Sequence, residues 1–246
     1  MNLPDPVLTI ARRFLTVSPD TLVLDVLAKM NQLKDNQCNL LEEKIAINPV
    51  DIYAKLRVNS ELLNYFVTSC ALILEHHEIV GIITERDVVK LVAQCQNLEI
   101  PVSEVMTAPV IALKEAEFSD LFIALSVLRT NQIRHLPILN ETGKVVGIVT
   151  PETIRRILQP INLLTMRRVA DIMKKEIVHA SRQTAVLNLA KLMVEHEVSC
   201  ITIVSQSTEF PDVPMLIPLG IVTERDIVQM QILGLDMANI KAETVM

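Results

Sequence analysis

The sequence predicts an α/β protein (α+β by some schemes) built from tandem strand–helix–strand–strand–helix repeats, and three observations predict it. Three of the five glycines in this 246-residue chain open the same phrase. It reads Gly-Ile-Ile-Thr-Glu-Arg-Asp at 81–87, Gly-Ile-Val-Thr-Pro-Glu-Thr at 147–153 and Gly-Ile-Val-Thr-Glu-Arg-Asp at 220–226, placing the glycines 66 and 73 residues apart. An apolar–Met pair keeps step at Val105-Met106, Ile172-Met173 and Val245-Met246, 67 and 73 residues apart. Between these landmarks, short apolar runs of strand type alternate with apolar residues at helical spacing. Self-similarity at such a period marks a repeat architecture, which governs the reading of every local feature.

Each repeat opens on a short apolar strand, Phe14-Leu15-Thr16-Val17 in the first. An amphipathic helix follows, carrying Leu24, Leu27 and Ala28 in the first repeat and Leu187, Ala190, Leu192 and Met193 in the third. A strand of buried type comes next: 70–74, its counterpart 135–139, and 200–204. A turn, marked in the second repeat by Asn140-Glu141-Thr142-Gly143, leads to the glycine-led strand. A second amphipathic helix closes the unit, with Val88, Val89, Leu91 and Val92 in the first repeat.

The copies differ in length. From Met30 to Cys70 the first repeat spends 40 residues where the third spends 7 from Met193 to Cys200, so residues 35–67 read as a helical insertion. The third repeat lengthens its hairpin instead. Its segment Ser205–Pro218 holds Pro211, Pro214 and Pro218, which are expected to forbid ladder hydrogen bonds. The expected organisation is repeat 1 at 1–98, repeat 2 at 99–163 paired with it, repeat 3 at 164–234, and the start of a fourth at 235–246, with the boundary before repeat 3 near Gln159-Pro160.

Composition removes several function classes. Half the residues are hydrophobic, the net charge is −6, aromatics make up 3% and Trp is absent. Lys and Arg cluster no further than pairs such as Arg167-Arg168, so there is no basic stripe with stacking aromatics, and nucleic acid is not an expected partner. No stretch reaches the about eighteen apolar residues of a membrane-spanning helix, and the amino terminus, with Asp5, is not of secretion-signal type. The four cysteines lack any CxxC pairing, and Cys70 and Cys200 share a position in apolar strands. They are expected to be reduced core thiols in a cytoplasmic protein, with no zinc site. No Ser-His-Asp set, paired-carboxylate motif or phosphate loop is present, so the chain is not expected to be an enzyme.

The chemistry-bearing candidates lie in the repeated phrase. Thr84 and Thr223 fall at a strand-to-helix junction, where unpaired N–H groups and a partial positive charge suit a phosphate. Asp87 and Asp226 follow three residues later, and an ionised carboxylate accepts the two hydrogen bonds that a ribose diol offers. Arg86 and Arg225 have the length to reach a phosphate. The same residues also read as a capping box, worth about 1 kcal/mol to each helix, and the arginines as solvated or dimer-facing charges. These readings are not exclusive.

In repeat 2 the phrase is Thr150-Pro151-Glu152-Thr153. Pro151 fits a first helical position, but a hydroxyl stands where the acid should be, so the site at Thr150 is expected to be weak or empty. His76-His77 sit on a turn, where adjacent side chains diverge, and His135 occupies the strand position of Cys70 and Cys200, as a packed core histidine would.

Together, the apolar–Met pair, the run Ile133-Arg134-His135-Leu136-Pro137-Ile138-Leu139 and the phrase Gly-apolar-apolar-Thr-x-x-Asp resemble CBS domains, regulatory units that associate into Bateman modules. The resemblance covers nearly the whole chain except 35–67. It implies β-α-β-β-α units paired through their sheets, with an adenosine-containing ligand (AMP, ADP, ATP or S-adenosylmethionine) in the cleft between paired repeats. Thr84 with Asp87 and Thr223 with Asp226 would hold that ligand, the latter site lacking its partner repeat after Met246. The resemblance also implies a homodimer, no required cofactor, and an output domain in a longer chain, as in the sensory front ends of bacterial histidine kinases and diguanylate cyclases. The expected function is a nucleotide-sensing regulatory module. Alternatives are a constitutive dimerisation scaffold with empty clefts, or the front of an enzyme whose catalytic domain lies beyond Met246. The third repeat is expected to pair with its own copy in a second chain.

Overall fold

Each repeat contributes one three-stranded sheet to the computed structural model, which describes residues 6–33, 69–157, 168, 170, 173–206 and 215–246. The sheets are β1 (Leu15–Val17), β2 (Cys70–Glu75), β3 (Glu78–Thr84); β4 (Leu113–Lys114), β5 (Leu136–Leu139), β6 (Val145–Val149); and β7 (His179–Ser181), β8 (Cys200–Gln206), β9 (Leu216–Thr223), each in that spatial order. In each, the opening strand pairs in parallel with the middle one, and Val17, Leu113 and Ala180 stand opposite Ile73, Ile138 and Ile203. A parallel pairing requires a crossover. In repeats 2 and 3 it is supplied by α3 (Leu121–Thr130) and α5 (Val186–Glu195); in repeat 1 the helix α1, residues 23–33, lies in the connection. The glycine-led strands run into α2 (Glu85–Ala93), α4 (Pro151–Ile157) and α6 (Glu224–Ile232). The insertion expected at 35–67 and the repeat 2–3 boundary near Gln159 lie outside the described residues.

The chain divides into two compact units, the first formed by Met1–Thr21, Ala28–Ile83 and Pro101–Arg168. Within it the sheets of repeats 1 and 2 share a core cluster of Ala11, Cys70, Leu72, Ile82 and Ile148, flanked by Phe14 and Val110. The lead-ins are exchanged. Ala11 N–H donates to the Ile148 carbonyl at 2.9 Å and receives from Ile148 N–H at 3.0 Å, while Thr107 and Ile82 make the reciprocal pair at 2.8 and 3.1 Å. The glycines are closely covered beside each bridge: a Cβ on Gly81 would collide with the Met106 side chain, and one on Gly147 would meet Ile10 Cγ2 and lie 2.6 Å from the Ala11 carbonyl oxygen, a backbone atom that cannot turn aside. A second cluster behind β4–β6 holds Leu113, Phe118, Leu128, Leu136, Ile138 and Ile154.

The second unit consists of Leu22–Leu27, Thr84–Ile100 and Val169–Met246. Here α2 of repeat 1 packs against α5 and α6 of repeat 3. The stretches after α2 and α6 fold back on the start of a crossover helix: Val23 and Leu24 N–H donate to the carbonyls of Ile100 and Leu98, and Val186 and Leu187 to those of Ile240 and Met237. Met246 then covers Gly220, where a Cβ would stand 2.9 Å from the Met246 Cβ.

Four details differ from the sequence reading. The inward face of α1 is Val23, Val26, Leu27 and Met30, with Ala28 exposed, because the helix is rotated by one residue from the expected phase. The inward face of α5 is Val186, Leu189, Ala190 and Met193, with Leu187 and Leu192 only partly covered. Cys70 is buried but Cys200 is exposed, since the face of β8 that carries it is not covered as that of β2 is. Pro218 does not end the ladder: it pairs with Val204 past a register shift, and pairing continues to Gln206 with Leu216. A bulge next to a proline removes the need for its missing N–H.

Candidate functional site

The strand-to-helix junctions of repeats 1 and 3 have the same geometry. Thr84 is the N-cap of α2 in extended conformation, and its N–H and Oγ1 both donate to Asp87 Oδ2, at 2.9 and 2.8 Å. At the start of α6, Thr223 N–H and Oγ1 donate to Asp226 Oδ2, each at 2.7 Å. The capping reading of these residues is therefore realised, because an acid three positions into a helix reaches back to its first donors. Two donors occupy one carboxylate oxygen of each aspartate. The other, Oδ1, retains lone pairs; at Asp87 it lies 3.8 Å from Lys90 Nζ.

Repeat 2 closes its junction without an acid. Thr150 N–H donates to Thr153 Oγ1 at 2.9 Å, Thr153 N–H returns to Thr150 Oγ1 at 3.1 Å, and Thr153 Oγ1 donates to the Thr150 carbonyl at 2.9 Å. Both threonines are buried. Pro151 begins α4, as its fixed φ suits. Thr150 and Thr153 thus form a self-contained hydroxyl pair, and the helix start is capped without an acid.

The arginines are engaged by protein. Arg86 Nε stands 3.3 Å from Glu224 Oε1, and Arg225 Nε 3.6 Å from Glu85 Oε1, so each helix pairs its arginine with the glutamate of the other. The glutamates are the buried members, at 7% exposure for Glu85 and 4% for Glu224. These two acids escaped the sequence reading; the signal was their presence before the arginine in both copies of Thr-Glu-Arg-Asp. The pairing also sets Thr84–Asp87 and Thr223–Asp226 on two helices held side by side in one unit.

The remaining candidates are structural. His76 and His77 form the exposed β2–β3 turn with φ of 51° and 70°. His135 is buried, its Nε2 2.7 Å from Ser69 Oγ, and burial first, with the nearby Arg134 charge second, lowers its pKa from 6.5 to about 4. Among the described residues no group of His, Cys, Asp and Glu could hold a metal ion, and no helix is long and apolar enough to cross a membrane.

Comparison with known proteins agrees with this architecture. The CBS domain family matches residues 102–160 and 169–232, half of the chain, and the chain belongs to that family. Among relatives, it is 34% identical over 115 residues to an uncharacterized 17.7 kDa protein of Acidianus ambivalens, covering 46% of this chain and 68% of that one. It is 31% identical over 140 residues to L-aspartate semialdehyde sulfurtransferase of Methanocaldococcus jannaschii, covering 57% of this chain but only 24% of the enzyme. Its fold is similar to the crystal structure of protein MJ1225 from Methanocaldococcus jannaschii, with a TM-score of 0.67 at 19% identity over 98% of this chain and 81% of that one.

Proposed function

We propose that this protein is a regulatory module that binds an adenosine-containing ligand at Thr84–Asp87 and Thr223–Asp226 and passes a conformational signal to an output domain. The observation that carries the reading is the duplicated carboxylate geometry, with one oxygen of Asp87 and Asp226 fixed by threonine while the other keeps acceptor capacity of the kind a ribose diol needs. Membership of the CBS family supplies the ligand class, and its duplication across α2 and α6 supplies a route for the signal. A ligand that interacts differently with two packings of these helices shifts their populations by that difference. Repeat 2, with Thr150 and Thr153 bonded to each other, contributes no such site. The sulfurtransferase relative, of which the chain spans a quarter, favours a regulatory portion attached to varied catalytic partners over a catalytic role for these residues.

A constitutive scaffold is the rival reading, because capping alone accounts for every hydrogen bond of Thr84 and Asp87. Calorimetric titration with AMP, ADP, ATP and S-adenosylmethionine decides between them. Binding by at least one, lost in a folded Asp87→Asn, Asp226→Asn double variant, is the expected result. Silence with all four establishes the scaffold.

A further inference from the structure

The two Thr-Glu-Arg-Asp helix starts of the second unit interlock, and their charges are committed to one another. Arg86 Nε stands 3.3 Å from Glu224 Oε1 and Arg225 Nε 3.6 Å from Glu85 Oε1, so the arginine beside each aspartate faces a buried glutamate of the other helix. A phosphate seeking either arginine meets a competitor already in place. The first turns of α2 and α6 each hold two carboxylates, Glu85 with Asp87 and Glu224 with Asp226. Their cations are Arg86, Arg225 and Lys90, whose Nζ is 3.8 Å from Asp87 Oδ1; on α6 the place of Lys90 is taken by Gln229. Acids therefore outnumber bases by one at these two helix starts. The N-terminal dipoles, each equivalent to about half a positive charge, do no more than offset that excess.

We infer that Glu85 and Glu224 set the charge of the ligand. By holding Arg225 and Arg86 they make the sites select an adenosine-containing molecule that is neutral or cationic at its 5′ end, such as a thioether or sulfonium, over one that carries a chain of phosphates. The inference rests on the binding proposed at Thr84–Asp87 and Thr223–Asp226. A ribose diol draws on the remaining acceptor capacity of the aspartates and leaves both ion pairs as they are. A phosphate does not. Its natural partner on each helix is the arginine next to the aspartate, and taking it strips a buried glutamate on the other helix of a charged contact, which is costly for a carboxylate out of water. The local field, with acids in excess, does not repay that cost. A cationic group meets the opposite balance. Because each arginine and its glutamate lie on different helices, a phosphate that won at one site would also loosen the start of the other, so the discrimination acts at both.

Calorimetric titration of the 246-residue chain with adenosine, S-adenosylmethionine, AMP and ATP, in magnesium-free buffer of fixed ionic strength, tests this. The expected order of affinity puts adenosine and S-adenosylmethionine above AMP, and AMP above ATP. The double variant Glu85→Gln, Glu224→Gln removes two carboxylates and releases both arginines. It should raise the affinity for ATP relative to adenosine about tenfold, as the loss of two charges near a phosphate chain would. Each single substitution gives part of that shift, which keeps the test available where the double variant does not fold. Glu152→Gln, at an exposed acid of repeat 2, leaves the order unchanged. AMP or ATP bound more tightly than adenosine by the wild type, or an order that the glutamate substitutions do not move, overturns the selectivity and leaves the binding module standing. Silence with all four overturns the sites and their selectivity together.

Discussion

Arg86 of the first repeat and Glu224 of the third lie 3.3 Å apart, and Arg225 and Glu85 repeat the relation in reverse at 3.6 Å. The two pairs lock α2 to α6 across a local pseudo-two-fold. The glutamate side chains are 9% and 5% exposed, so each sits where a carboxylate depends on a nearby cation, whereas the arginines are 62% and 37% exposed.

Removing the cation should therefore cost more than neutralising the acid. Arg86→Ala is expected to destabilise the second unit by about 1 kcal/mol and Glu224→Gln by less, because the buried carboxylate then loses one of its charged contacts, whereas an amide at 224 carries no charge to compensate. Urea unfolding of both variants and their double mutant measures the coupling.

The glycine-led phrase makes a graded prediction. Gly147→Ala should destabilise by about 2–3 kcal/mol, since the added methyl meets the Ala11 backbone as well as Ile10. Gly220→Ala should cost less, because the atoms in its way belong to a side chain alone and stand farther off, the Met246 Cβ at 2.9 Å. Gly143→Ala meets nothing within 4 Å and should cost about 1 kcal/mol through its φ of +80° alone. Thermal unfolding of the three variants ranks them.

His135 makes stability depend on pH. Its pKa is lowered from 6.5 to about 4 in the fold, so below 6.5 the unfolded chain takes up a proton that the native chain refuses. The contribution is constant above 6.5 and is lost as pH falls towards 4, amounting to about 3 kcal/mol at the lower end. His135→Cys, which installs the residue found at this position in the other repeats, should flatten that part of the profile. Parallel denaturation curves at pH 7 and 4.5 for wild type and variant isolate the effect from other titrating groups.

The capping bonds are separable from ligand contact. Asp226→Ala removes two hydrogen bonds to Thr223 and should cost about 1 kcal/mol of stability without ligand, and Thr153→Ala should cost a similar amount in repeat 2. Only the Asp226 substitution should also weaken nucleotide binding, as measured by calorimetry on the folded variants.

The repeats, the order of strands and helices along each and the Thr–Asp caps were legible because each is a local matter: alternation within a few residues, or an acid three places after a threonine. The burial of Glu85 and Glu224 was not, because it arises from helices more than a hundred residues apart in sequence. Cys70 and Cys200 show the same limit. Their strands read alike, yet one faces a sheet and the other solvent, and strand patterning encodes which face is apolar but not what covers it. Pro218 was misread for a different reason, since a register shift of one residue reconciles proline with pairing and leaves no trace in composition.

The exchange at Ala11 and Ile148 separates sequence position from structural consequence. Trimming the chain ahead of residue 12 removes nothing from the sheet formed by its own repeat. It would instead strip β6 of its edge bond and uncover Gly147, so damage at the front of the chain appears in the second repeat, and neither repeat of the pair can be excised intact.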